Sequence, residues 1–305
     1  MATQWALDVG LRKVRAEQAG EEVSEELAAE YEKADAEVLS KIRSMLGIDE
    51  LESLNVGAAP TPREVIEFFH APGLPLAELW GMSETTGAGA CNPPDKVKIG
   101  TVGPAAPGIE IKLADDGEVL IRGPVVMPGY RNSPEQTAET IDGEGWLHTG
   151  DIGELDDVGY LKIVDRKKEL IISAGGKNMS PANIEAKVKA AHPLIGQAIA
   201  IGDGRPYNVA LITLDPDVAP GFAQQHGIDD TSFENLAGEQ AVINEVQKGV
   251  DAGNEQLARV EQIKKFKLLP VDWEPGGDEL TPTMKLKRKP IAEKYKAEID
   301  ALYGS

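Results

Sequence analysis

The sequence predicts a mixed α/β chain in three parts. These are an α/β segment over residues 1–100, a small β-barrel or β-meander over 101–165, and a compact α+β domain over 169–305. Three observations carry this reading. Apolar residues recur at helical spacing before residue 46. Two strands then run into small-residue loops by residue 89. After residue 107 an Asp-Asp-Gly turn joins two alternating stretches, a strong hairpin signal.

Residues 2–46 read as helical. In "SEELAAEYEKADAEVLSKIRSML", Leu27, Tyr31, Ala34, Val38, Ile42 and Met45 form one apolar stripe, and Ser24 before Glu25 and Glu26 marks a helix start. "LESLNVGAAP" is a short buried strand entering a tight loop. "TPREVIEFFHAPG" is a helix with Pro62 in its first turn and Gly73 at its end. "LPLAELWGMSETTGAG" repeats the strand-to-loop arrangement. Next come the hairpin "PGIEIKLADDGEVLIRGP" and the short strands of "GWLHTGDIGELDDVGYLKIVD". In the last part "ELIIS", "GQAIAIGD" and "NVALITLD" are strands. "SPANIEAKVKAA" is a helix capped by Ser180 with Pro181 in first position, and 238–258 and 290–302 are helical.

The totals exclude some functions. Lys and Arg number 31 against 51 Asp and Glu, a net charge of -20 that argues against nucleic-acid binding. A single cysteine, Cys91, excludes an internal disulfide and a cysteine metal site, so it reads as structural. No apolar run is long enough to cross a bilayer and no signal peptide opens the chain. The expectation is a soluble cytoplasmic protein, with any membrane contact peripheral.

Four stretches can carry chemistry, and each has a plain alternative. In "GMSETTG" a glycine turn presents Ser83 and Glu84, suited to phosphate oxygens and a hard cation, or simply to a helix cap. In "GWLHTGD", Asp151 at a strand end can accept both hydroxyls of a diol, or sit in a surface turn. His148 beside it has no visible partner and reads as structural. The run "DRKKE" over 165–169 is a solvated linker or a hinge. In "LTPTMKLKRK", Lys285 on a Pro/Thr loop can neutralise charge developing on a phosphoryl or carboxyl oxygen, or belong to a basic patch.

Taken in order, "GAAP", "WGMSETTG", "IGTVGPAAPGIEIKL", "GWLHTGDIGELDDVGYLKIVDRKKELIISAGGKNMSPANIE" and "PTMKLKRK" resemble the adenylate-forming, AMP-binding superfamily. Within it the chain looks most like the C-terminal half of a long-chain fatty acid–CoA ligase. The resemblance implies a two-step reaction using ATP, Mg2+ and CoA: a carboxylate becomes an acyl-adenylate, and the thiol of CoA then displaces AMP. It assigns Gly57, Ala58 and Ala59 to the adenine and acyl pocket. Trp80 falls where the family usually stacks a tyrosine on adenine, with Gly81, Met82 and Ser83 beside the nucleotide. Glu84 is implied as the Mg2+ ligand, Asp151 as the ribose acceptor with Arg166 beside it, and Lys285 as the catalytic cation. Lys168 is implied as the hinge within 166–168, with its charges wet, and Gly175 and Gly176 as the loop that leaves room for CoA.

The family's Gly-rich loop and lysine around the β- and γ-phosphates are not in this sequence. The resemblance therefore implies a truncated N-terminal domain, and either a separate N-terminal half as partner or a catalytically inactive nucleotide- or CoA-binding remnant. Another adenylate-forming ligase is a further alternative. Apolar faces of the first part are expected to stand exposed.

Overall fold

The computed structural model describes residues 2–173 and 175–304. The chain divides into two compact units, Met1–Lys167 and Lys168–Ser305.

In the first unit α1 (Ala2–Gln18), α2 (Glu25–Ala34) and α3 (Ser40–Leu46) are not one helix. Gly20, at φ +72°, ends the first run, and the Ser24 hydroxyl accepts from Leu27 N to start the second. Ala6, Val9, Ala34 and Leu39 bury the faces between these helices. Strand β1 (Leu54–Val56), α4 (Arg63–His70) and β2 (Leu76–Trp80) form a parallel crossover, with β3 (Ala90–Cys91) antiparallel on the far side of β2. Gly10 lets α1 lie directly on the end of α4: a Cβ there would fall 2.0 Å from Ala71 O.

Glu67 of α4 is buried between Arg63 (2.7 Å) and Arg15 of α1 (3.0 Å). Burial alone would push its carboxyl up, but the two guanidinium bonds more than offset this and hold it below the ordinary value. A depressed carboxyl stabilises the fold above its unfolded pKa, near 4.5, and that contribution is lost as pH falls through the folded value. Urea midpoints taken from pH 6 to pH 3 are expected to fall more steeply for the native chain than for Glu67→Gln. Parallel curves would remove this contact from the acid response.

Strands β4 (Glu110–Leu113), β5 (Glu118–Arg122), β6 (Leu147–Leu155) and β7 (Leu161–Arg166) form an antiparallel sheet in that order, with α5 (Pro134–Thr140) between β5 and β6. The Asp-Asp-Gly turn closes the first hairpin, with Gly117 at φ +83°. Of the two expected forms, barrel or meander, the sheet is the meander, with β4 and β7 at its ends. Four strands of four to nine residues supply too few staves to close a barrel around side chains.

In the second unit a two-stranded ribbon, β8 (Ile171–Ile172) and β9 (Asn178–Met179), leads into α6 (Pro181–Ala191), whose Ser180 cap accepts from Asn183 N. The central sheet has β10 (Ile195–Ile201) antiparallel to β11 (Asn208–Leu214) and β12 (Ile263–Leu268) parallel to β11. Helices α7 (Ala219–Gln225), α8 (Phe233–Leu236) and α9 (Gln240–Glu255) precede β12, and α10 (Arg288–Lys294) and α11 (Lys296–Tyr303) follow it. All seven residues of β11 are buried. Ala210, Ile212 and Leu214 face the core with α6 and α9, while Leu211 joins the cluster around Trp273 and Ile291.

Candidate functional site

The first unit places a carboxylate on the core face of a strand. β6 alternates buried and half-buried residues, and its buried set is Leu147, Thr149, Asp151 and Gly153. An ionised group there needs partners to offset its lost hydration, and Asp151, 4% exposed, has them from two neighbouring elements. Arg166 stands directly across from it on β7, with Nε 2.8 Å from Oδ1. Trp80, the last residue of β2, donates its indole N–H to Oδ2 at 2.9 Å. Arg166 also donates to Thr149 O at 3.3 Å and keeps about half its side chain exposed. Three residues spread over 87 positions of sequence thus meet at one carboxylate whose partners reach solvent.

The loop after Trp80 turns tightly. A Cβ on Gly81 would fall 2.2 Å from Gly87 O, and the Ser83–Thr85 turn between them is one turn of 3₁₀ helix ending at Thr86, φ +55°. The Thr85 hydroxyl and the Met82 backbone close this turn on each other, so the side chain that caps it is Thr85 and not Ser83. Ser83 is exposed and Glu84 half-buried. Glu84 Oε1 accepts from the Tyr130 hydroxyl at 2.9 Å, and Glu84 O accepts from Met127 N. Burial first, and the neighbouring Glu84 second, push the Tyr130 hydroxyl up, so it donates as a neutral phenol. Tyr130 is the residue that sequence reasoning missed; its only signal is the Gly-Tyr pair ahead of a Ser-Pro helix start, 46 positions from Glu84. The described residues hold no cluster of three metal-ligating side chains. A lone carboxylate still fits Mg2+, which binds through one or two carboxylates together with phosphate oxygens and water.

Gly57, Ala58 and Ala59 follow β1. A Cβ on Gly57 would sit 2.8 Å from Leu79 Cδ1, and Ala58 holds φ +70°, a conformation an L-residue adopts only under constraint.

Two expectations are corrected. His148 has a partner: Nδ1 lies 3.4 Å from Glu118 Oε2. The charged run 165–168 is also not uniformly wet, because Asp165 is 7% exposed and Lys167 pairs with Asp116 at 2.5 Å and Glu118 at 3.0 Å. Both follow from strand pairing, which continues through Arg166 and sets Lys167 beside the β4–β5 turn.

In the second unit Lys168 is the first residue. Gly175 is exposed, and among the described residues only Ser173 Oγ lies near its would-be Cβ and nothing lies near that of Gly176, at φ +78°. Lys285 lies on an exposed turn fixed by its own backbone: Thr281 N donates to Lys285 O at 2.8 Å, and Lys285 N donates to Thr281 Oγ1 at 3.0 Å. Met284, at φ +64°, makes the reversal.

Known proteins match the chain in both of its units. Residues 14–131 match the AMP-binding enzyme family and residues 168–305 match the AMP-binding enzyme C-terminal domain. The chain is 53% identical over 304 residues to the fatty-acid–CoA ligase fadD11 of Mycobacterium tuberculosis, covering 100% of this chain and 53% of that protein. It is 41% identical over 279 residues to the long-chain-fatty-acid–CoA ligase FadD15 of the same organism, covering 91% of this chain and 46% of the relative. It therefore spans about half the length of these relatives. The adenylation domain of a carboxylate reductase from Mycobacterium chelonae shares the fold at a TM-score of 0.68 and 21% identity, over 98% of this chain and 45% of that one. No helix among the described residues is long and apolar enough to cross a membrane. With the AMP-binding enzyme match and the C-terminal-domain match following in order, the chain belongs to the AMP-binding enzyme family.

Proposed function

We propose that this chain is the adenosine-binding and thioester-forming portion of a long-chain fatty acid–CoA ligase. The observation that carries the reading is the buried Asp151 carboxylate, fixed by Arg166 and Trp80 at the solvent edge of the sheet. A carboxylate with two oxygens and four lone-pair sites can accept both hydroxyls of a ribose. The Trp80 ring offers a stacking surface for adenine, and the Gly57–Ala59 loop allows close approach of its backbone. The fatty-acid carboxylate attacks the α-phosphorus of ATP, the bond to the β-phosphate oxygen breaks, and pyrophosphate leaves. In the second step the thiol of CoA attacks the acyl carbonyl carbon, losing its proton, and AMP departs with the electron pair.

Lys285 is assigned to charge developing at the reacting oxygens in the first step, and Gly175 and Gly176 to the passage of the CoA arm. Lys168 serves as hinge between the two roles of the second unit. Glu84, oriented by Tyr130, is the side chain that would hold Mg2+, which when bound neutralises phosphate charge. A separate N-terminal half completes the ligase. Its support is the exposure of Val65 (39%) and Phe68 (57%) on α4 and of Met45 and Leu46 at the end of α3.

The nucleotide assignment is tested by equilibrium dialysis of AMP against this chain. Binding is expected, and Asp151→Ala is expected to weaken it about 10- to 100-fold, the loss of charge-assisted hydrogen bonds. Equal affinity for the two proteins would remove Asp151 from the site. The ligase assignment is tested by pyrophosphate exchange with a fatty-acid panel. Exchange is expected when a relative's N-terminal half is supplied and not with the chain alone; turnover by the chain alone would overturn the split-enzyme reading.

A further inference from the structure

We infer that Trp80 is a positioning residue that sets how tightly the ribose is held, acting through its indole N–H on Asp151 as well as through its ring face. The inference rests on the nucleotide reading of this site. Indole nitrogen is a donor only, lying in the ring plane at one edge. Here that edge meets Asp151 Oδ2 at 2.9 Å while Arg166 Nε meets Oδ1 at 2.8 Å. The indole donor at one oxygen and the guanidinium donor at the other fix the plane of the carboxylate that would receive the ribose hydroxyls.

The opposite edge of the indole is held as firmly. A Cβ on Gly89 would fall 2.6 Å from Trp80 Cε3 and 2.7 Å from Cζ3, so the benzo edge lies directly on the Gly89 backbone. Trp80 and Ala90, the next residue, are paired across β2 and β3. The ring is therefore wedged between a glycine and a carboxylate and cannot turn without breaking the bond to Asp151. A phenylalanine at this position would keep an aromatic face but offer no donor to Oδ2. Asp151 would then lose the indole donor while keeping Arg166, whose half-exposed side chain is a less rigid support.

The test compares AMP with 2′,3′-dideoxy-AMP, which keeps the base and phosphate and lacks both hydroxyls. In the native chain AMP is expected to bind more tightly than the dideoxy compound. In Trp80→Phe that preference is expected to shrink roughly fivefold to tenfold, the range for one hydrogen bond to a charged group, with dideoxy-AMP affinity changed less than twofold. Equal loss for both ligands would mean that Trp80 acts by stacking or packing alone and would overturn the inference, as would an unchanged or increased preference for AMP. No AMP binding by the native chain would remove the nucleotide reading itself, a result distinct from native binding with an unaltered preference in the variant.

A second measurement does not depend on how well Trp80→Phe folds. The indole N–H resonance of Trp80, in a 15N-labelled chain, is expected to move upfield and exchange faster in Asp151→Asn, with the Trp5 and Trp273 indoles, bonded elsewhere, unaffected. A Trp80 signal indifferent to Asp151→Asn would overturn the inference.

Discussion

Arg288→Ala is expected to destabilise the unit Lys168–Ser305 by about 3–5 kcal/mol, the cost of removing one partner from a buried ion pair. Arg288 opens α10 and forks onto Glu185 of α6, with Nη1 2.6 Å from Oε1 and Nη2 2.7 Å from Oε2, while its Nε reaches Glu169 at 3.0 Å. Glu185 Oε1 also accepts from Ala200 N on β10 at 2.8 Å. One carboxylate thus joins a helix, a strand and the start of a second helix. The side chains are only 21% and 8% exposed, so water screens the pair weakly. Burial alone would lower the Arg288 pKa, but the bonds to Glu185 and Glu169 more than reverse that, and it stays charged at any accessible pH.

Truncation to alanine takes the guanidinium away from the buried Glu185 charge, a loss that removing both charges avoids. Glu185→Leu with Arg288→Met should recover much of the loss, because apolar replacements of a buried pair are often neutral or better. Arg288→Lys should recover less, since an ammonium cannot form the parallel two-bond fork. Denaturant unfolding, followed by probes in each unit because two units need not melt together, measures all three. A change below about 1 kcal/mol for Arg288→Ala would show the fork to be dispensable.

How much of this was legible in the sequence depended on range. Local chemistry was readable: the Ser180-Pro181 start of α6, the Asp-Asp-Gly hairpin, and the strand–helix–strand run from β1 to β2 each follow from residues within a few positions of one another. Gly20, which ends α1, does not read as a break in the sequence, and residues 2–46 read as helical on the apolar stripe from Leu27 to Met45. β12 was missed because "IKKFKL" carries three lysines and buries only its two ends, a pattern set by parallel pairing to β11. The open meander differs from a barrel only in whether the edge strands meet, and no local signal encodes that.

Site chemistry behaves the same way. Asp151, Arg166 and Glu84 stood out as residue types in suggestive loops. The Trp80 bond to Asp151 spans 71 positions, Tyr130 to Glu84 spans 46, and Arg288 to Glu185 spans 103. Such pairs are products of tertiary packing: Trp80 and Asp151 belong to different sheets, Glu84 and Tyr130 to a turn and a loop, and Arg288 and Glu185 to two helices, so no spacing rule connects them.

With a relative's N-terminal half supplied, Lys285→Ala is expected to lower the rate of acyl-adenylate formation by about 10²- to 10³-fold, the usual loss when one preorganised donor to developing charge is removed. It should leave AMP binding to the chain within twofold. The separation follows from where the residue sits. Lys285 belongs to the second unit, on a turn whose shape is set by Thr281 through two backbone-anchored bonds and by the left-handed Met284, so truncating its exposed side chain disturbs no core contact. The cluster of Trp80, Asp151 and Arg166 that we propose for adenosine lies wholly in the first unit.

A residue that acts only during adenylation should also leave the second half-reaction intact. Supplied with preformed acyl-adenylate, the Lys285→Ala protein should transfer the acyl group to CoA at close to the native rate, whereas exchange of pyrophosphate into ATP should collapse. Thr281→Val is the companion variant. It removes the hydroxyl that accepts from Lys285 N and keeps the lysine, so it should slow adenylation by a smaller factor by loosening the turn. Equal slowing of both half-reactions by Lys285→Ala would place the lysine in general folding or substrate binding, and its assignment to the first step would be wrong. Because Arg288 lies three residues beyond Lys285, Arg288→Lys, folded but with a weakened fork, should reproduce the Thr281→Val pattern, tying stability of the second unit to the geometry of its charged loop.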